Sequence, residues 1–290
     1  MTEATLNINL NAIYKNLNRL QNLSERSVET AVVLKADAYG LGVDPIAKYL
    51  FDKGVRTFFV ATVTEALELS LLLPVESQIY YLNGFSENDS DIINNYNITP
   101  ILNSLDQINS FKNKILNKSA ALQIDIGMKR LGLSPLEVMV AKKKCETINL
   151  KLILGHLSSA DNEFDSSNQK QLSLFSKLSS NFPNTPKSLA ATGGTILGKD
   201  YHFDLTRPGI GIFGGSFDPP HKAHLKISRM SLKKIGLKLK NEVIDHNDYI
   251  GGRYSVLSEV GMLPAELMGL NAKKFKQFNN LVKNRFFFNS

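Results

Sequence analysis

The run Ala31-Val32-Val33-Leu34-Lys35, followed by Ala36-Asp37-Ala38-Tyr39-Gly40, places a lysine directly after an apolar segment. At the C-terminal end of a buried strand, such an amine can form a Schiff base with an aldehyde. The plain alternative is a lysine whose stem lies on apolar surface and whose head sits in water. Four more candidates each stand at or just after a β-rich run. Arg130 lies in IDIGMKRLG, His156 in GHLSSAD, Thr192 in LAATGG and Arg207 in FDLTRPGIGIFGG. A guanidinium suits a carboxylate, and a hydroxyl suits a phosphate. Taken singly, these residues also have ordinary readings as a surface ion-pair partner and a satisfied core histidine.

Eight short β-rich runs could carry this chemistry: 31–35, 57–61, 78–82, 99–102, 121–125, 152–156, 188–191 and 202–207. Helical patterns lie between them. Leu10, Ile13, Leu17 and Leu20 precede the first strand, 65–72 follows the second, and Pro135 opens a run to Cys145. Such alternation fits a (β/α)8 barrel and equally fits a doubly wound open sheet.

The chain has 290 residues, and a hydrophobic content of 43% is enough for a sizeable core. No apolar run reaches the roughly 18 residues that a membrane span requires. The N-terminus has no basic-then-apolar leader pattern, so a cytoplasmic location is expected. The single cysteine, Cys145, rules out an internal disulfide and a cysteine metal cluster, and no metal site is expected. The net charge of +7 is uneven. Residues 1–213 hold 21 Lys+Arg against 21 Asp+Glu, and residues 214–290 hold 13 against 6. That basic tail, with Lys226, Lys233, Lys234, Lys238 and Lys240, could contact phosphates of nucleic acid or an acidic membrane. Aromatic interleaving is sparse before Phe286–Phe288, and a solvated helix face is the simpler account. Nucleic acid and membrane are therefore not expected partners.

The motifs decide between the two folds. Residues 1 to about 213 resemble the pyridoxal-phosphate (PLP) barrel domain of the alanine racemase family. The string VVLKADAYGLG is similar to the family's cofactor-lysine signature, and IDIGMKRLG resembles its Asp-Thr-Gly-Met-x-Arg-Leu-Gly segment, with Ile126 in place of threonine. The resemblance implies a TIM-like PLP barrel over 1–213; beyond it, the lysine-rich helical patterns predict a helical, poorly ordered C-terminal extension. It implies that Lys35 holds PLP and acts as a base, and that Tyr39 hydrogen-bonds the phosphate. Arg130 would sit near the cofactor's phenolic oxygen and the substrate carboxylate, and His156 would stack on the pyridine ring. Thr192 would offer its hydroxyl to phosphate, where Ala191 stands in place of an amide side chain. Arg207 would face the pyridine nitrogen, and the N–H groups of Gly209 and Ile210 would cap the phosphate. Many relatives carry a lysine, often carbamylated, seven residues before the arginine; Gln123 stands there, so no carbamate is expected.

The implied reaction is interconversion of L- and D-alanine by removal and return of the α-proton. The family's second base is a tyrosine of a C-terminal β-domain, supplied across a dimer. Residues 214–290 do not resemble that domain, so impaired turnover and a weakened homodimer are expected. The alternative is a PLP-binding barrel without turnover. Instead, 214–240 resembles the start of a nicotinate-nucleotide adenylyltransferase, with His221 and His224 in its His-x-Gly-His pattern and Ala223 replacing the glycine. Residues 241–290 resemble a glucose-6-phosphate isomerase fragment, in which Arg253 matches an active-site arginine. Both sites would be vestigial, and the chain reads as a chimera joined at GIGIFGG. At that join the barrel requires a turn and short helix, whereas a nucleotide-binding fold requires a buried strand.

Overall fold

Successive short strands buried on both faces dictate the architecture. The computed structural model describes residues 8–213; the extension, its two fragments, His221, His224 and Arg253 lie outside the described residues. The strands are β1 (Glu29–Thr30), β2 (Val32–Val33), β3 (Thr57–Val60), β4 (Gln78–Tyr81), β5 (Ile98–Leu102), β6 (Ser119–Gln123), β7 (Asn149–Leu154), β8 (Lys187–Ser188) and β9 (Leu205–Thr206). Strands β2 to β8 form one parallel sheet in chain order, and β1 pairs in parallel with β9. Backbone bonds join the two ends of that sheet. Ala31 and Val33 donate to the carbonyls of Thr206 and Pro208, while Asp204 and Arg207 donate to those of Lys187 and Ala190. The eight sequence candidates thus lie side by side in a curled, barrel-like wall with helices outside it.

Each strand sends alternate residues to opposite faces, as its period of two requires. Phe59, Tyr80, Ala121, Leu152, Leu154 and Leu205 form the cluster inside the wall, where the Phe59 and Tyr80 rings stack with centroids 4.9 Å apart. Their neighbours Phe58, Ile79, Tyr81 and Ile153 belong to the larger cluster between strands and helices. The helix Leu10–Gln21 buries Ile13, Leu17 and Leu20, the face its sequence spacing predicts, together with Asn16. Asn16 donates to the Ile212 carbonyl at 3.0 Å, tying that helix to the end of the barrel.

Several boundaries differ from the sequence expectation. The first strand begins at Glu29, because its early residues pair with β9 before Val32 and Val33 pair with β3. The regular part of β8 stops at Ser188, where the carbonyls of Leu189 and Gly155 turn to the guanidinium of Arg207. The helix expected over 65–72 starts at Val63, capped by Thr62. Cys145 caps the helix Pro135–Lys144 rather than lying within it. Its thiol is buried, which raises its pKa to about 11, so it is a packing residue and not a nucleophile. At the join, Ile210–Phe213 is a short helix and not a strand, as the barrel requires. No helix among the described residues is long and apolar enough to cross a membrane.

Candidate active site

The sequence candidates converge at the C-terminal mouth of the strands. Lys35 follows β2, Arg130 lies in the loop after β6, His156 follows β7, Thr192 follows β8 and Arg207 follows β9. Electrostatics ties the charged ones together. The His156 pKa is pushed down to about 3, mainly by burial and then by the nearby cations Arg207, Arg130 and Lys35. Its imidazole is therefore neutral at physiological pH and can stack or accept, but does not serve as a reservoir of protons. The Lys35 amine is held below the ordinary lysine value, first by burial and then by Arg130, with Glu65 opposing. A lowered pKa gives more neutral amine, the nucleophilic and basic form.

The chain after Lys35 takes an uncommon conformation. Ala36, Asp37, Ala38 and Tyr39 all have left-handed φ, between 52° and 58°. Each such non-glycine residue costs about 1–2 kcal/mol, so outside contacts must hold the turn. Glu65 accepts from the Ala36 N–H at 2.8 Å, and Asp37 accepts from the Val43 N–H at 2.7 Å. Gly40 and Gly42, at φ of 81° and 91°, let the chain leave the turn. Reversing the backbone sense brings Tyr39 back beside Lys35, whose Nζ stands 5.9 Å from the Tyr39 ring centroid.

Tyr39 in turn reaches the segment Gly209–Phe213. Its ring packs on Phe213 with centroids 5.2 Å apart, and Ile210 gives its hydroxyl a backbone hydrogen bond. Burial raises the Tyr39 pKa to about 12, so it remains a neutral phenol that can donate. A Cβ on Gly209 would overlap the Tyr39 hydroxyl, and one on Gly211 would overlap the Thr192 methyl. Thr192 Oγ1 accepts from the N–H groups of Gly209 and Gly211 at 3.1 and 3.2 Å. One phenol, one threonine hydroxyl and a pared-down backbone therefore meet in one place.

Arg207 is buried, at 4% exposure, and its hydrogen bonds go to neutral oxygens. Nε donates to Ser188 Oγ at 2.7 Å and Nη2 to the Gly155 carbonyl at 2.6 Å. Ser188 donates its own proton to the Leu205 carbonyl, so its oxygen can only accept from Arg207. Burial lowers the Arg207 pKa to about 10, which leaves it cationic at neutral pH.

The IDIGMKRLG loop also follows from its residues. Asp125 Oδ1 accepts from the N–H groups of Gly127 and Lys129, folding the loop back. A side chain on Gly132 would press on the Asp125 N–H, which explains the glycine after Arg130-Leu131. Gln123 is buried and donates to the Leu131 carbonyl at 3.2 Å, tethering the residue beside Arg130. Sequence reasoning missed Glu65, Ser188 and the tether made by Gln123. Thr62-x-x-Glu65 is a readable capping box, but its reach to Ala36 crosses 29 positions and leaves no local signal.

The family model described as the N-terminal domain of alanine racemase matches residues 8–217. The chain belongs to this family. A shorter match, to the Cytidylyltransferase-like model, covers residues 212–247. The catabolic alanine racemase of Agrobacterium fabrum is 43% identical over 218 residues, covering 73% of this chain and 56% of that protein. An alanine racemase of Cereibacter sphaeroides is 37% identical over 238 residues, covering 82% and 67%. Among solved structures, alanine racemase from Bartonella henselae, with covalently bound pyridoxal phosphate, is 37% identical. It superposes with a TM-score of 0.68, covering 73% of this chain and 65% of that one. The chain thus spans just over half the length of the Agrobacterium relative.

Proposed function

We propose that this alanine racemase-family barrel binds pyridoxal phosphate through Lys35 and acts on the α-proton of alanine. The observation that carries the reading is the convergence of Lys35, Tyr39, Thr192, Gly209 and Arg207 at one mouth. The residues fit the cofactor: glycines 209 and 211 let Tyr39 and Thr192 close onto the backbone, gathering a phenol, a hydroxyl and N–H groups that suit a phosphate. Tyr39, Thr192 and the N–H groups of Gly209 and Ile210 would hold the phosphate, and His156 and Arg207 the ring. Bound there, the cofactor supplies an aldehyde and a conjugated ring that stabilises negative charge at the substrate α-carbon.

The chain's own residues set the rest. The desolvated Lys35 amine is the base for one face of the α-carbon. Arg130 neutralises the substrate carboxylate and depresses Lys35 at the same time. Arg207 cannot readily release a proton, so beside the ring nitrogen it would leave that atom unprotonated and temper the ring's capacity to take up negative charge. The family's second base, a tyrosine of its β-domain, has no counterpart that we recognise in residues 214–290. Adding PLP to the full chain should give a new absorption band that Lys35→Ala abolishes. Absence of the band in the parent chain would overturn the reading. A band without L- to D-alanine conversion would favour binding alone.

A second reading concerns the join. The motif GGSFDPPHKAH, with His221 and His224, supports a nicotinate-nucleotide adenylyltransferase fragment at 214–240, and Arg253 a glucose-6-phosphate isomerase fragment at 241–290. We read the chain as a chimera of three parts, with vestigial sites in the last two. An uninterrupted reading frame across many independent long reads of the source locus would sink the version in which the join is an assembly artefact.

A further inference from the structure

We propose that Glu65 is a positioning residue for the cofactor lysine, clamping the left-handed turn that presents Lys35 and Tyr39 to the ligand; this rests on the reading of the site above.

The geometry goes beyond helix capping. In an ordinary capping box the glutamate returns only to the N-cap N–H. Here Oε2 accepts from both Ala61, at 2.6 Å, and Thr62, at 3.2 Å. The other oxygen, Oε1, crosses to the neighbouring strand end and accepts from Ala36 at 2.8 Å. Ala36 opens the left-handed run, and the first N–H groups of a helical turn have no partner within it. The carboxylate therefore joins the ends of β2 and β3 at the position where the backbone is most strained. An amide cannot replace it, because its NH2 would face N–H donors on one side or the other. The negative charge also lies close enough to raise the Lys35 pKa against Arg130. One group thus holds the turn and moderates the amine.

The test compares Glu65→Gln with Thr62→Val in the full chain. Thr62→Val removes the hydroxyl that accepts from the Glu65 N–H but leaves the carboxylate and its bond to Ala36 in place. Two readouts are taken: amide hydrogen exchange over 36–42 without ligand, and the pH profile of borohydride-trapped PLP adduct at Lys35. Glu65→Gln should speed exchange in 36–42 about tenfold with the rest of the barrel unchanged. It should also lower the adduct yield and move its pH midpoint downward, since a negative charge beside the amine is gone. Thr62→Val should do none of these. If the two variants behave alike, or if Glu65→Gln leaves the turn and the adduct as in the parent, the proposal fails. Should Glu65→Gln not fold, Glu65→Asp, shorter by one methylene, should loosen 36–42 without moving the midpoint; unchanged exchange there would likewise overturn it. A parent chain that forms no Lys35 adduct overturns the reading of the site, while the exchange comparison still decides whether Glu65 holds the turn.

Discussion

The Tyr39 hydroxyl occupies the space that a Cβ on Gly209 would need. Two segments separated by most of the barrel are therefore fitted to each other at the proposed phosphate site. Gly209→Ala must displace the phenol or the loop. The expected cost is about 1–3 kcal/mol of stability, as for overpacking elsewhere. PLP affinity should fall with it. Denaturant unfolding and a PLP titration of the variant check both effects, and parent-like values in each would contradict the fit.

Arg207 should be a stability determinant in addition to its proposed role at the ring. Arg207→Ala leaves the Gly155 carbonyl and the Ser188 oxygen without their buried donor. Hydrogen bonds to charged groups contribute about 1.5–3 kcal/mol each, so a loss of at least that size is expected. Arg207→Lys should recover only part of it, because one ammonium cannot reproduce the fork. Chemical denaturation of the three proteins measures the order.

Arg130 depresses the Lys35 pKa, so Arg130→Gln should raise it. Formation of the PLP adduct requires the neutral amine. Its pH midpoint should therefore move upward in Arg130→Gln, opposite to the shift expected for Glu65→Gln. A midpoint that stays put would show that Arg130 does not act on the amine.

His156 predicts an acid-side weakness. Its pKa falls from 6.5 when unfolded to about 3 when folded, so the unfolded chain binds more protons between those values. Stability contributed by the neutral imidazole is complete above about pH 6.5 and is lost as the pH falls towards 3. Thermal midpoints measured from pH 7 to pH 4 should fall less steeply in His156→Leu than in the parent. An identical slope would mean that neither burial nor the surrounding cations hold the His156 pKa down.

Much of this was legible before any fold was known. Lys35, Arg130, His156, Thr192 and Arg207 each stand at or just beyond a β-rich run, and strand ends at one mouth are where barrel chemistry collects. The strand positions followed from short apolar runs, though their ends did not, because partner changes and side-chain bonds trim them. Glu65 was legible only as part of a capping box. Ser188 looked like an ordinary strand residue, since nothing local marks it as the acceptor for Arg207. Gln123 was read as the absence of a carbamate, whereas folded it is a tether to Leu131.

The Lys35 motif by itself marked a candidate amine, because a lysine after a buried strand is one that folding must partly desolvate. It could not determine the turn that follows. Four consecutive left-handed residues are costly for any isolated chain, and no local preference of Ala-Asp-Ala-Tyr selects them. Tertiary structure decided the turn, through the Glu65 carboxylate on one side and the Gly209 segment under Tyr39 on the other. Contacts distant in sequence offset the local strain, and that strain is what points Lys35 and Tyr39 at the same site.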